Sequence, residues 1–176
     1  KSVFCIGTGN EAASAGHTSG RIISEGEETI QLAIQSRQSS ISIQIWKEYT
    51  DQIEISIINP SGVRVGPVPE ILGPHRFRIG QTEILLYYGE PSPYSISQEI
   101  YIDLLPVESY LTEGIWRIVL SAGKIVTGQY EMWLPSDNVL NRGTGFLFPT
   151  DATTLTIPSS ASRAISVGAY DARTFA

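Results

Sequence analysis

The chain is poor in the residues that do redox, metal or nucleic-acid chemistry. It has one cysteine, Cys5, so no internal disulfide can form. Cys5 lies inside an apolar run, which reads as a small buried side chain rather than a nucleophile. Histidine occurs only at 17 and 75. No His, Cys, Asp and Glu spacing suggests zinc, no D-x-D-x-D-G loop suggests calcium, and no phosphate-binding glycine loop follows an apolar strand. Neither a metal nor a cofactor is expected. Charged residues make up 17% of the chain, against roughly 25% in ordinary soluble domains. The net charge is −6 and the pI about 4.9, which leaves nothing to neutralise phosphates, so a nucleic-acid partner is not expected. No apolar run approaches the roughly 18 residues of a membrane span, and no signal-peptide pattern is present, so a membrane partner is not expected. The first residue is Lys1 rather than Met, and an apolar strand begins almost at once. That start reads as an excised segment, with the natural N-terminus and any targeting signal upstream.

What is present is β-signal. A chain of 176 residues is long enough for one real core. Ile30, Leu32 and Ile34 alternate with polar or small residues, as do Ile41, Ile43 and Ile45, and then Ile53, Ile55 and Ile57. Period two over such runs means half-buried strands. Asn59-Pro60-Ser61-Gly62 is a turn, because proline presets its second position. The three prolines of VGPVPEILGPH make that stretch a loop or an edge. Strands resume in HRFRIG, TEILLYYG, SISQEIYIDLLP, GIWRIVLSAG and IVTGQYEMWLP, and no convincing helix intervenes. The expectation is a mostly-β protein: an antiparallel sandwich of jelly-roll type with about eight strands.

The two ends differ from this middle. Val3–Ile6 is a continuous apolar run, and AISVGAYD at 164–171 looks the same. Such runs belong to strands covered on both faces of a parallel sheet, and this chain supplies no helices to cover them. They read as pieces of a second, α/β domain into which the sandwich is inserted. The boundaries that follow are 1–18 for the first piece, 19–152 for the insert and 153–176 for the return.

VFCIGTGNEAASAGH resembles the segment of subtilisin-like serine proteases in which a buried strand ends in the oxyanion-hole turn. TIPSSASRAISVGAYD resembles the next strand of the same sheet. The order and the intervening insert are similar to clostridial Csp-like germination proteases and related bacterial subtilases, which carry a jelly-roll domain inserted in the catalytic domain. The resemblance implies that Asn10 is the oxyanion donor and that Gly7 and Gly9 let the turn approach substrate closely. An amide suits that task because its NH2 donates without charge and does not titrate. Glu11 follows as in the family, whereas Ala12 stands where the family has glycine. The family orders its triad Asp, His, Ser, and all three motifs fall outside this segment. The isolated chain is therefore expected to be inactive. The implied partners are a peptide or protein substrate and the remainder of the catalytic domain. A secreted, cell-envelope or spore-associated setting is favoured over a purely cytoplasmic one.

No substitute triad is apparent in the sequence. His17 and Ser19 are close, but no third group is specified, and His17 is expected to shape the loop. His75 is expected to be solvated. ISIINPSGVRV and the stretch around Trp116 also resemble the P domain of kexin-like proteases. Trp46, Trp116 and Trp133 are expected to pack in the core. Tyr87, Tyr88, Tyr94, Tyr101 and Tyr110 could instead build a sugar- or peptide-binding face, most with one side buried. A second reading therefore stays open: a non-catalytic binding module of a pseudoprotease.

Overall fold

In a computed structural model of the chain, residues 15–135 and 139–150 are described in full, together with the backbone of two short strands, Cys5–Gly7 and Ile165–Val167. All regular structure among them is β. The strands are β1 (Cys5–Gly7), β2 (His17–Arg21), β3 (Glu27–Ile34), β4 (Ile41–Glu48), β5 (Ile53–Ile58), β6 (Arg64–Val68), β7 (Gly73–Ile79), β8 (Thr82–Tyr88), β9 (Ser97–Pro106), β10 (Gly114–Ala122), β11 (Gln129–Trp133), β12 (Gly145–Phe146) and β13 (Ile165–Val167).

Two antiparallel sheets form a sandwich. One is five-stranded, β12-β3-β10-β5-β6, and the other six-stranded, β2-β11-β4-β9-β8-β7. β1 and β13 pair parallel in a two-stranded sheet of their own, with Cys5 opposite Ile165 and Gly7 opposite Val167. The fold class is thus the expected mostly-β sandwich, but with more strands than the eight expected. The additions are weakly patterned. β2 (HTSGR) has no aliphatic residue, β6 carries Gly66 and Pro67, and β12 is two residues long. β6 and β7 both lie at sheet edges, where their prolines cost no ladder hydrogen bond. Gly66 is required there: with φ of +103°, a Cβ would lie 2.6 Å from the Ile55 carbonyl oxygen.

The alternating isoleucines build the core. Leu32, Ile43, Ile55, Ile84, Ile100 and Ile102 are all fully enclosed. Each such side chain contributes about 1.5–3 kcal/mol by leaving water. Trp116 is buried among them, and its indole N–H donates to the Thr112 carbonyl at 2.9 Å. Tyr88, on β8 of one sheet, donates its hydroxyl to the Val68 carbonyl of the other at 2.9 Å. Burial raises the pKa of this phenol, so it stays a donor at any ordinary pH. Tyr88→Phe is expected to cost about 1 kcal/mol, measured by urea unfolding, because one buried carbonyl bond is lost while the ring stays packed.

The alternation of β4 carries one residue that does not belong in an oily core. Lys47 continues the face of Ile41, Ile43 and Ile45, and its side chain is fully buried. Its ammonium donates to the Asp51 carbonyl and lies 3.3 Å from the Glu70 carboxylate. The other job of Glu70 is to accept the Ile53 N–H at 3.0 Å. Burial lowers the Lys47 pKa, and the attraction of Glu70 offsets this only in part. Asp51, also enclosed, turns its carboxylate onto successive N–H groups of the 126–128 loop, with Thr127 at 3.0 Å and Gly128 at 2.8 Å. Gly128 holds φ of +75°, and a Cβ there would meet the Ile22 carbonyl oxygen at 2.1 Å.

Burial pushes the Asp51 pKa up, but the N–H donors of Val126, Thr127 and Gly128, with Lys47 nearby, bring it below its ordinary value. The unfolded chain therefore binds the proton more readily. The resulting stability is fully present above about pH 5 and is lost as pH falls through about 4 toward the folded-state value. Urea midpoints measured from pH 7 down to 3 should fall in that window, and Asp51→Asn should flatten the profile there.

Candidate functional site

The sandwich has a neck where the incoming and outgoing chains run side by side. Ala15 accepts the Phe146 N–H at 2.8 Å, Gly16 accepts the Leu134 N–H at 2.8 Å, and His17 accepts the Thr150 N–H at 2.9 Å. The Thr18 hydroxyl donates to the Phe148 carbonyl at 2.9 Å, and the Ser19 and Thr150 hydroxyls are 3.1 Å apart. Packing at this junction is close, since a Cβ on Gly145 would lie 2.5 Å from the Ala15 methyl.

His17 is the centre of the neck. It is the first residue of β2, not a loop residue as expected, and it is 3% exposed. Its Nδ1 is 2.8 Å from the Thr150 carbonyl, and its Nε2 is 2.7 Å from a carboxylate oxygen of Glu131. Its ring lies against Trp133, with centroids 4.9 Å apart and planes tilted by 31°. Both ring nitrogens are thus engaged, one with Thr150 on the outgoing chain and one with Glu131. The Ser19 hydroxyl meets Thr150 rather than the His17 ring, so this His-Ser pair does not have the hydrogen bond of a nucleophile and its base.

β1 ends at Gly7, opposite Val167 of β13. Gly9 and Asn10 lie outside the described residues, as do Glu11 and Ala12. No cluster of three His, Cys, Asp or Glu side chains occurs among the described residues, and no helix there is long and apolar enough to cross a membrane.

A second feature is the outer face of the six-stranded sheet. Register carries one row across all its strands: Pro74 opposite Tyr87, Tyr87 opposite Tyr101, Tyr101 opposite Gln44, Gln44 opposite Trp133, and Trp133 opposite His17. Trp46, one row away, stands opposite both Glu99 and Glu131. Trp46 and Trp133 are therefore half-buried on the outside rather than packed in the core, and only Trp116 is a core tryptophan. The tyrosines divide as well. Tyr88 is enclosed, Tyr101 half-buried, and Tyr87 and Tyr110 are 40% and 53% exposed, so most of the five keep one covered side as expected, whereas Tyr94 is 96% exposed. A shallow hollow beside Tyr87 and Tyr101 is completed by Pro74, Arg76, Leu85 and Asp103. His75 is half-buried rather than solvated: its Nε2 is 2.8 Å from the Ile71 carbonyl, and its ring meets the edge of Tyr88 at 5.9 Å.

Over most of its length the chain is similar to a clostridial protease. The match is to the structure of the Clostridium perfringens CspB protease, with 31% sequence identity and a TM-score of 0.88 over 96% of this chain. The chain spans 35% of the length of that CspB chain. No protein-family model and no curated protein sequence matches it. The likeness to CspB extends beyond the sandwich, since 96% coverage takes in residues of both ends. This relates the chain to a protease.

Sequence reasoning did not find the partners of His17. Glu131 and Thr150 lie far away along the chain, and neither forms a recognisable spacing with it. A signal was nevertheless present: the alternation of QYEMW places Glu131 and Trp133 on one face.

Proposed function

We propose that the chain is a segment of a subtilisin-like serine endopeptidase. In this reading residues 1–18 and 153–176 belong to the catalytic domain, and residues 19–152 are an inserted sandwich of jelly-roll type that rigidifies or docks it. Asn10 donates its amide to the oxyanion of the tetrahedral intermediate, and Gly7 and Gly9 allow substrate to approach the turn. The Asp, His and Ser of the triad come from the rest of the protein, and the segment alone does not cleave peptides. The observation that carries the reading is the likeness to the CspB protease across 96% of the chain. The separate parallel pairing of β1 with β13 supports it, because parallel strands buried in an α/β sheet are the setting of the subtilisin oxyanion turn. The test is peptide hydrolysis by the full-length protein carrying Asn10→Ala; an unchanged kcat would sink the assignment.

A second reading is favoured by the row of aromatic side chains on the outer face: a non-catalytic module that binds a protein or glycan in a pseudoprotease. The two separate on whether the full-length protein reacts with a fluorophosphonate, which labels only an activated serine.

A further inference from the structure

The six-stranded sheet keeps its arginines at its edges. Arg21 on β2 donates to the Thr127 carbonyl, Arg76 on β7 pairs with Glu83 at 3.0 Å, and Arg78 on β7 donates to the Gly80 carbonyl. The four strands between β2 and β7 carry one lysine or arginine, Lys47, and its side chain is buried on the core side. What these strands turn outward is acidic and aromatic instead. Trp46 on β4 stands between Glu99 on β9 and Glu131 on β11, one strand away on either side. Cross-strand neighbours on one face lie about 5 Å apart, so both carboxylates are within reach of a group that covers the indole. Tyr101 and Trp133 flank Gln44 in the next row, and Asp103 stands in the row after that. Among the described residues, none of these three carboxylates has a lysine or arginine partner. Glu99 accepts from Gln44 at 3.1 Å, Asp103 accepts from Ser42 at 2.6 Å, and Glu131 lies against His17.

A carboxylate and the face of an aromatic ring attract the same ligand, a cation. Glu99 and Glu131 are two strand spacings apart, roughly 10 Å, which is too far for one ammonium or guanidinium to pair with both. The face therefore suits a ligand with several cations along its length. We propose that it docks a basic segment of a partner protein, an extended peptide. Its lysine or arginine side chains lie over Trp46, Tyr101 and Trp133 and pair with Glu99, Glu131 and Asp103. The net charge of −6 favours the approach of such a partner. A neutral glycan would use the rings but has no charge to set against the carboxylates. The inference rests on the binding-face reading given above, names its ligand, and holds whether or not the parent protein is catalytic.

The experiment uses the full-length protein, treated with a fluorophosphonate so that an active serine cannot consume the probe. Fluorescence anisotropy measures the Kd of a labelled peptide that alternates lysine with serine. Peptides with glutamine or glutamate in place of lysine, and labelled cellohexaose as a neutral glycan, serve as comparisons. The lysine peptide is expected to bind about tenfold more tightly than the glutamine peptide, and the glutamate peptide not at all, with affinity falling as salt rises. Trp46→Leu keeps apolar bulk but removes the π face, and is expected to weaken the lysine peptide about fivefold. Glu99→Gln is expected to weaken it about threefold. Folding of each variant is checked by its urea midpoint. If Trp46→Leu does not fold, Trp46→Phe, with a weaker π face, takes its place beside Glu99→Gln. Equal binding of the three peptides overturns the proposal, and so does a lysine preference that both substitutions leave unchanged. If cellohexaose alone binds and Trp46→Leu weakens it, this inference falls and the binding-face reading stands. If neither the peptides nor cellohexaose binds, both fall.

Discussion

Replacing Asn10 with alanine in the full-length protein is expected to lower kcat for peptide hydrolysis by a factor on the order of 10²–10³ while leaving KM within about twofold. The size is that of the oxyanion asparagine in subtilisin itself, where one donor is worth about 3–4 kcal/mol. The split between kcat and KM follows from when the bond matters. The ground-state carbonyl is weakly basic and only approaches the donor, whereas the tetrahedral oxyanion bears full charge at the donor's position. An interaction made only in the transition state lowers kcat and kcat/KM together. Asn10→Asp should be at least as damaging, since a carboxylate offers no donor and repels the oxyanion. Steady-state kinetics on a single peptide substrate, with folding checked by near-UV circular dichroism, measures this.

The second large effect is expected from Asp51→Ala, at about 3–5 kcal/mol of folding stability, measured by urea unfolding of the chain. Three consequences add. The N–H groups of Thr127 and Gly128 lose a charged acceptor, and that of Gly128 stays buried. The 126–128 loop, in which Gly128 holds a left-handed conformation, loses the anchor that keeps it there. The buried Lys47 ammonium keeps Glu70 but loses a nearby opposite charge. Asp51→Asn should cost less, because its amide oxygen still accepts from one side of the loop, although its NH2 then faces a backbone donor. If both variants stay within about 1 kcal/mol of wild type, the carboxylate is not the anchor of this loop.

The sequence revealed most where burial is one-sided. Ile30, Leu32 and Ile34, and the two isoleucine triplets after them, all stand in the core, because alternation is imposed directly by a pleated strand with one wet face. It revealed little where the inner side chain is small. Gly20 of β2 faces inward with no side chain, and the space is taken by the ring of Tyr130 from the neighbouring strand. A strand packed by its neighbour's side chain leaves no mark in its own sequence. The same reason hid the neck, whose contacts join His17 to residues more than a hundred positions away. Lys47 was legible in principle, since it falls in step with Ile41, Ile43 and Ile45 and so had to be buried. Charge alone makes such a residue look solvated, and only its partners Asp51 and Glu70 explain why it is not. The outer aromatics were misjudged for the converse reason: Trp46 and Trp133 are residue types expected in a core, but each is out of step with the buried residues of its own strand and lies on the opposite face.

The parallel pairing of β1 with β13 also has a consequence for the order in which the molecule assembles. These strands stand at opposite ends of the chain, so pairing them in an unfolded chain would mean closing a loop of nearly its whole length. Once the sandwich has formed and its neck is joined, the remaining loop is shorter by roughly eightfold, about three doublings, which removes roughly 2 kcal/mol of closure entropy. This entropy favours an order in which the sandwich forms first and the end strands pair second. In the reading proposed above, the oxyanion turn is completed only after the sandwich has folded, so a destabilised sandwich is expected to delay the appearance of activity as well as lower its final level.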